Sequence, residues 1–253
     1  MISGEGARWR VVRTEAHDAY ANMALDEAAE NAIREGRSDP TIRLYTWKPS
    51  AVSIGCFQGI EEEVNLEECR RRGIDVVRRR TGGGAVYHDS EGEITYSIIA
   101  PEGLFPKGIR ESYGVICGYV ISGLGRIGIK AEFAPINDIV VEDKKISGSA
   151  QTRRKGMLLQ HGTVLYGLDA RAMFAVLRVS REKISDKMVK DAEERVTCVK
   201  RHSGASIGEL AEALLYGFTE GKEYSYGAWS DGELADAGRL REMYMSKEWN
   251  FSR

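Results

Sequence analysis

The sequence lacks most of the features that place a protein quickly. Its 253 residues hold four cysteines, Cys56, Cys69, Cys117 and Cys198, widely spaced and without a C-x-x-C pair. That spacing argues against a disulfide framework and a zinc site, and it fits a reducing compartment. No apolar run approaches the ~18 residues of a transmembrane helix. The start, Met1-Ile2-Ser3-Gly4-Glu5-Gly6, lacks the basic and apolar regions of a signal peptide. Charge of either sign is not in excess: the formal net is −2, so nothing global points to nucleic acid or to a membrane. Internal repeats, low-complexity tracts and a clear linker are also missing. These absences lead to the expectation of a cytoplasmic protein with no nucleic-acid or membrane partner. What is present is ordinary for a globular chain: 42% hydrophobic and 29% charged residues, enough for one large domain or one domain with an appendage.

Periodicity supplies the elements. Trp9-Arg10-Val11-Val12 predicts a first strand. Asn22 is placed to cap a helix over 23–34, with Asp26 and Glu27 in early turns where the helix dipole favours them. Strands are predicted over 42–47, 51–55, 74–77, 85–87 and 93–99. Asn65 and Glu68 have capping-box spacing and Gly73 is a stop, which sets a short helix between them. Apolar residues recur at helical spacing over 109–127. A hairpin follows, with strands over 138–141 and 146–150 and Glu142-Asp143-Lys144-Lys145 in its turn. Another strand covers 158–166 and holds His161. Helices are predicted over 170–177, 206–218 (Ser206 and Glu209 form a second capping box) and 234–245. Strands cluster before Gly167 and helices after it, so the chain reads as α+β with a mostly antiparallel or mixed sheet.

Two stretches could carry chemistry. In Arg78-Arg79-Arg80-Thr81-Gly82-Gly83-Gly84-Ala85-Val86-Tyr87-His88-Asp89, arginines run into three glycines. Bared backbone N–H groups beside guanidinium forks make a cradle for an anionic small molecule. A flexible turn with a basic flank explains the same residues. In Lys144-Lys145-Ile146-Ser147-Gly148-Ser149-Ala150-Gln151, small residues leave room for an ammonium to meet a ligand oxygen, or the lysines are simply solvated. His88 follows the glycine loop directly. His161, alone in an apolar strand, fits a hydrogen-bonded structural role as readily as a functional one. Neither a Ser-His-Asp order nor metal-ligand spacing is visible.

Together these residues resemble the signature of the lipoate–protein ligase family. The likeness rests on 78–89, on Lys145-Ile146-Ser147-Gly148-Ser149-Ala150-Gln151 and on Gln160-His161-Gly162. It extends to Asn22-Met23-Ala24-Leu25-Asp26-Glu27, Arg43-Leu44-Tyr45-Thr46-Trp47, Asn137-Asp138, Arg195-Val196-Thr197 and Glu248-Trp249-Asn250-Phe251. Markers in one order along nearly the whole chain are far more specific than any one of them. The resemblance implies the biotin/lipoate ligase catalytic-domain fold, a mixed sheet flanked by helices and related to class II aminoacyl-tRNA synthetase cores. It implies that ATP and lipoate, or octanoate, give an acyl-AMP with Mg²⁺, and that a lysine of a lipoyl carrier protein takes the acyl group.

By position, Lys145 is then the catalytic contact to carboxyl and phosphate, with Arg79, Gly84, Ala85, Val86, Tyr87 and Asp138 around the nucleotide. Leu25, Val86, His88, Lys145 and His161 bound the lipoate, and Asp138 serves the metal. A basic residue of the longer ligases aligns with Thr152, with Arg153 adjacent. The resemblance also implies a single catalytic domain over 1–253. The accessory domain that follows Glu248-Trp249-Asn250-Phe251 in longer ligases would be a separate small protein, and Trp249 and Phe251 either anchor that protein or pack onto the core.

Three rivals stand beside the ligase. A cysteine-dependent octanoyl or lipoyl transferase of the same fold needs a thiolate just before residue 137, where this chain has Glu132-Phe133-Ala134-Pro135-Ile136. Cys56 is the one cysteine worth watching for that role, because Cys117 reads as helix core. A biotin ligase should show a Gly-Arg-rich loop that is missing. A non-catalytic carrier-binding module is disfavoured by the retention of Arg79, Lys145 and both histidines.

Overall fold

The computed structural model describes residues 6–178 and 194–253. The single-domain reading over 1–253 therefore also takes in residues 1–5 and 179–193, which lie outside the described residues. Eleven strands among the described residues form two sheets. These are β1 Trp9–His17, β2 Thr41–Trp47, β3 Ala51–Ile54, β4 Asp75–Arg78, β5 Val86–His88, β6 Glu93–Pro101, β7 Glu132–Ala134, β8 Asp138–Val141, β9 Lys144–Arg154, β10 Met157–Leu165 and β11 Tyr224–Tyr226. The large sheet has the order β11-β1-β2-β6-β10-β9-β8-β7, and the small one β4-β3-β5. Strand β1 runs parallel to both β2 and β11, while β2, β6, β10, β9, β8 and β7 pair antiparallel. The expected mixed α+β sheet flanked by helices is what forms.

Strand alternation decides what each face of the large sheet buries. Ile42, Leu44, Ile94, Tyr96 and Ile98 point to one face, where they pack on the helix Ile109–Arg126 and the helix Ile207–Thr219. Each such buried side chain contributes roughly 1.5–3 kcal/mol. Those two helices cross closely: a Cβ on Gly217 would overlap the carbonyl of Tyr119, and one on Gly123 would sit 2.7 Å from the carbonyl oxygen of Ala213. The other face carries Tyr45 and Trp47, which pack with Met23, Ala24, Leu25 and Ala28 of helix α1, Ala19–Arg34. The small sheet lies on this second side, its Ala51 and Val77 in the same cluster.

Several local expectations change. Helix α1 starts four residues before Met23 and is capped by Asp18, whose carboxylate accepts from the Ala21 N–H at 2.8 Å. Asn22 is an interior residue, fully buried, and its amide donates to the carbonyls of His17 and Thr46. Asp26 faces the sheet rather than solvent, because Arg43 on β2 meets it there. Glu142 and Asp143 turn the hairpin alone, with φ of 51° and 62°, so Lys144 and Lys145 already belong to β9. The helix expected over 234–245 begins at Asp231, since Ser230 and Glu233 form a capping box that periodicity alone does not reveal. The short edge strands β7 and β11 were not expected; three residues carry too little alternation to register. The small helices Ile60–Glu63 and Lys247–Asn250 are equally short. Trp249 packs against Tyr244 and donates its indole N–H to the Arg78 carbonyl at 2.8 Å, while Phe251 stays exposed.

Candidate active site

A cavity of about 340 Å³ lies between the two sheets, on the α1 side of the large one. Its first wall is the small sheet with the glycine loop. A Cβ on Gly55 would overlap the Gly83 carbonyl, and Gly83 itself has φ +95°, so this loop closes against β3 only with glycine at both places. Arg79 holds the loop. Its Nε donates to Thr81 Oγ1 (3.1 Å), Nη1 to the Ser53 carbonyl and hydroxyl (3.0 and 3.1 Å), and Nη2 to the carbonyls of Gly82 and Gly84 (2.8 and 2.7 Å). All five guanidinium donors are used within the protein. Burial lowers its pKa to about 10, which still leaves it charged at neutral pH. Among the described residues no acceptor takes the backbone N–H of Gly83 or Gly84, and both residues line the cavity.

Two hydrogen-bond chains run from Arg79 into the fold. In one, Ser53 Oγ meets His88 Nε2 at 2.8 Å and His88 Nδ1 meets Glu93 Oε1 at 2.7 Å. Thr95 donates to the same Glu93 oxygen at 2.9 Å and receives the Trp47 indole N–H at 2.8 Å. The Trp47 ring stacks on His88 at 4.0 Å. In the other, Thr81 Oγ1 meets His161 Nε2 at 2.7 Å, and His161 Nδ1 stands 3.7 Å from Asp26 Oδ2. Asp26 also takes Arg43 at 2.8 Å and Ser97 at 2.6 Å. Burial pushes the Asp26 carboxyl up, yet His161 and Arg43 outweigh it and hold the carboxyl below the usual range. Burial pushes the His161 imidazole down, which favours its neutral form.

The opposite wall is β8 and β9. Lys145 Nζ pairs with Asp138 Oδ1 at 2.7 Å, and the lysine side chain remains 43% exposed. Gly148 makes room for it: a Cβ there would stand 2.7 Å from Nζ. Between the walls the lining is mainly apolar, with Met23, Val86, Leu165, Leu168, Met173 and Leu177.

Of the residues singled out from sequence, Arg79, Gly84, Ala85, Val86, Tyr87, His88, Lys145 and His161 line this one cavity. Leu25 does not; it is buried in the α1 packing beside Met23. Asp138 stands behind Lys145 rather than on the lining. Among the described residues no group of three His, Cys, Asp or Glu side chains is gathered to hold a metal ion, and the Asp138 carboxylate is engaged by an ammonium. The donors present therefore do not fit a resident divalent cation. Ser53, Thr81, Glu93, Thr95 and Trp47 were missed as site residues. The available signal was faint: Ser53 is a polar position in an otherwise apolar strand. All four cysteines lie off the lining. Burial pushes the thiols of Cys69 and Cys117 up to about 11. Cys56 is half-buried outside the cavity, its N–H on the Thr81 carbonyl at 2.9 Å.

An α+β domain with a largely apolar cavity and a lysine at one wall is the frame of an acyl-handling enzyme. The chain belongs to the lipoyl protein ligase A/B catalytic domain family, whose model matches residues 18–219. Octanoyltransferase LipM of Brevibacillus brevis is 36% identical over 276 aligned residues, covering 97% of this chain and 99% of the relative. Octanoyltransferase LipM of Staphylococcus aureus is 34% identical, with 96% and 98% covered. Among solved structures, a bipartite lipoate protein ligase of Thermoplasma acidophilum, studied with its E2 lipoyl domain, has a TM-score of 0.86 at 32% identity, with 97% of this chain and 96% of that one covered. A lipoate-protein ligase A bound with ATP has a TM-score of 0.82 at 29% identity, with 96% and 98% covered.

These relatives correct the expected reaction. An ATP-dependent, acyl-adenylate-forming lipoate ligase was expected, whereas the near-full-length curated relatives are octanoyltransferases. The resemblance identified the family correctly, but the family includes both ligases and octanoyltransferases, so membership alone does not fix the reaction. The transferase rival fits better. Among the described residues no helix is long and apolar enough to cross a membrane.

Proposed function

We propose that this chain transfers an octanoyl group from a thioester donor to the lysine amine of a lipoyl carrier domain. The observation that carries this reading is the near-full-length relationship to octanoyltransferases. The cavity agrees with it: an apolar lining suits an eight-carbon chain, and polar groups are few and fixed. The roles follow from position. Lys145 stabilises the oxyanion that forms when an amine adds to the acyl carbonyl, and the free N–H groups of Gly83 and Gly84 offer donors to the same kind of charge. Arg79 keeps the loop in shape, and Val86 with Met173 flanks the chain. Tyr87, Ala85 and Gly84 border the entrance of the donor.

A thioester is already activated, so the protein has mainly to position the acceptor amine. ATP, Mg²⁺ and the separate accessory protein that the ligase reading required have no step in this reaction. Free lipoate is likewise replaced by a carrier-bound acyl group. The acceptor is assigned to the lipoyl-domain class because a solved relative is a lipoylation enzyme studied with its E2 lipoyl domain. The 253 residues act as one catalytic domain in this scheme, in the cytoplasm, where thiols remain reduced.

The test uses purified protein, an octanoyl thioester on an acyl carrier protein, and a lipoyl domain, without nucleotide. Mass spectrometry should find octanoyl on the domain's lysine. Modification that requires octanoate with ATP, and does not occur from the thioester, would overturn the proposal.

A further inference from the structure

The N–H groups of Gly83 and Gly84 sit on a loop of three consecutive glycines, which has little stiffness of its own. Arg79 braces that loop from the cavity side. Its sequence neighbour Arg78 lies off the lining, yet it is buried and its charge is met by neutral carbonyls. Arg78 Nε donates to the Trp249 carbonyl at 3.1 Å and Nη2 to the Asn250 carbonyl at 2.8 Å. Its Nη1 donates to the carbonyls of Gly55 and Gln58 at 3.2 and 2.6 Å. One planar fork therefore ties the helix Lys247–Asn250 to the segment 55–58, a task that a single ammonium could not perform. The same helix holds the Arg78 backbone. The Arg78 N–H donates to Asn250 Oδ1 at 2.8 Å, and the Arg78 carbonyl receives the Trp249 indole N–H at 2.8 Å. Asn250 is fixed in turn by donating through Nδ2 to the carbonyls of Tyr244 and Ser246 at 2.7 and 2.9 Å. The other side of segment 55–58 is the glycine loop. The Cys56 N–H donates to the Thr81 carbonyl at 2.9 Å, Gly55 is pressed against the Gly83 carbonyl, and the Phe57 ring lies 3.8 Å from where a Cβ on Gly82 would stand. Gln58 Oε1 accepts from the Gly55 N–H at 2.9 Å, which keeps this segment turned on itself. A line of contacts thus runs from the C-terminal helix through Arg78 and residues 55–58 to Gly82 and Gly83.

We infer that Arg78, seated by Asn250, is a positioning residue for the oxyanion donors of Gly83 and Gly84, setting the glycine loop against the cavity from outside it. The inference rests on the role that the transfer reading gives to those two N–H groups. Arg78, Gln58, Trp249 and Asn250 all lie off the lining, so they reach the reaction only through the loop. Displaced donors lose contact with the charge that develops in the transition state, while the apolar lining still holds the acyl chain. The expected signature is therefore a loss in kcat rather than in KM.

The experiment compares the full chain with two variants. Asn250→Ala removes the acceptor of the Arg78 N–H, and Arg78→Lys keeps the charge but loses the fork. Each should lower kcat for transfer from an octanoyl thioester of acyl carrier protein to a lipoyl domain by about ten- to a hundredfold, with KM for the thioester within about twofold of wild type. NMR of protein isotope-labelled at glycine should show the Gly83 and Gly84 amide signals moved in both variants and that of Gly217, in the outer helix layer, in place. Should Arg78→Lys not fold, Asn250→Ala decides alone. An unchanged kcat, a loss carried by KM instead, or Gly83 and Gly84 signals that stay in place overturns the inference and leaves the transfer reading intact. Absence of transfer from the thioester by the wild type removes the transfer reading. The amide signals of Asn250→Ala then decide whether Arg78 sets the loop: moved signals support it and unmoved signals overturn it.

Discussion

On the small-sheet side of the cavity the polar groups are locked together, whereas on the β8–β9 side Lys145 has a single carboxylate partner and is 43% exposed. Arg79, Ser53, Thr81, His88 and His161 are all buried and bonded to one another through two chains that end on Glu93 and Asp26. The contrast is one of division of labour. Burying so many polar groups is tolerable only when each finds a partner, because an incomplete network in a low-dielectric interior costs more than an apolar core. The locked wall therefore needs the whole fold to hold it, and in return its geometry is preset. The lysine wall is held by strand pairing on both sides of β9, and its ammonium keeps more freedom than the buried groups opposite.

The largest effect should come from breaking the locked wall at its base. Asp26→Ala leaves Arg43 charged, fully buried and unpaired, which should cost about 3–5 kcal/mol of stability. Denaturant unfolding measures it, and a loss below about 1 kcal/mol would mean the wall does not depend on this pair. On the other wall, Lys145→Ala should cut octanoyl transfer about a hundredfold or more, with thermal stability nearly unchanged. Lys144→Ala, one residue away in the same strand, is the comparison and should leave transfer close to wild type.

Gly148→Ala sharpens the contrast from the same side. The added methyl would sit 2.7 Å from Lys145 Nζ and displace it. A misplaced group of this kind costs about ten- to a hundredfold in rate, and unfolding curves should scarcely move. The smallest effect is on pH dependence and belongs to the locked wall. The folded His161 titrates below its ordinary 6.5, so the unfolded chain binds the extra proton first, and stability should fall as pH drops through 6.5. The Asp26 carboxyl, also lowered, adds a second loss as pH falls through its ordinary 3.8. Melting temperature followed from pH 7 downward checks both, and His161→Gln should remove the first loss and shrink the second, because His161 helps hold Asp26 low.

Much of this was legible in the residues. Strands such as β2 and the hairpin β8–β9 announce themselves by alternation, and Ser206 with Glu209 marks a helix start because both halves of the reciprocal cap lie within four residues. The glycine loop and Lys145 were also readable as candidates, since each is a local run of unusual composition. The locked wall was not. It joins positions 26, 43, 53, 81, 88, 93, 95 and 161, which meet only after α1, β2, β3, β5, β6 and β10 are brought together. Asn22 misled for a related reason: an amide suited to capping was recruited to satisfy Arg43 and two carbonyls inside the fold. The reaction itself was misread because ligases and octanoyltransferases share one family and one fold, and the motifs that mark the family do not tell them apart.

The close crossing of the two outer helices at Gly123 and Gly217 lies on the sheet face turned away from the cavity. The helix packing and the cavity lining thus lie on opposite faces of the large sheet. Substitutions in the helix layer can therefore change stability without touching the residues that line the cavity. The converse also holds: Met173 and Leu177, on the cavity lining, can change while the helix layer stays as it is.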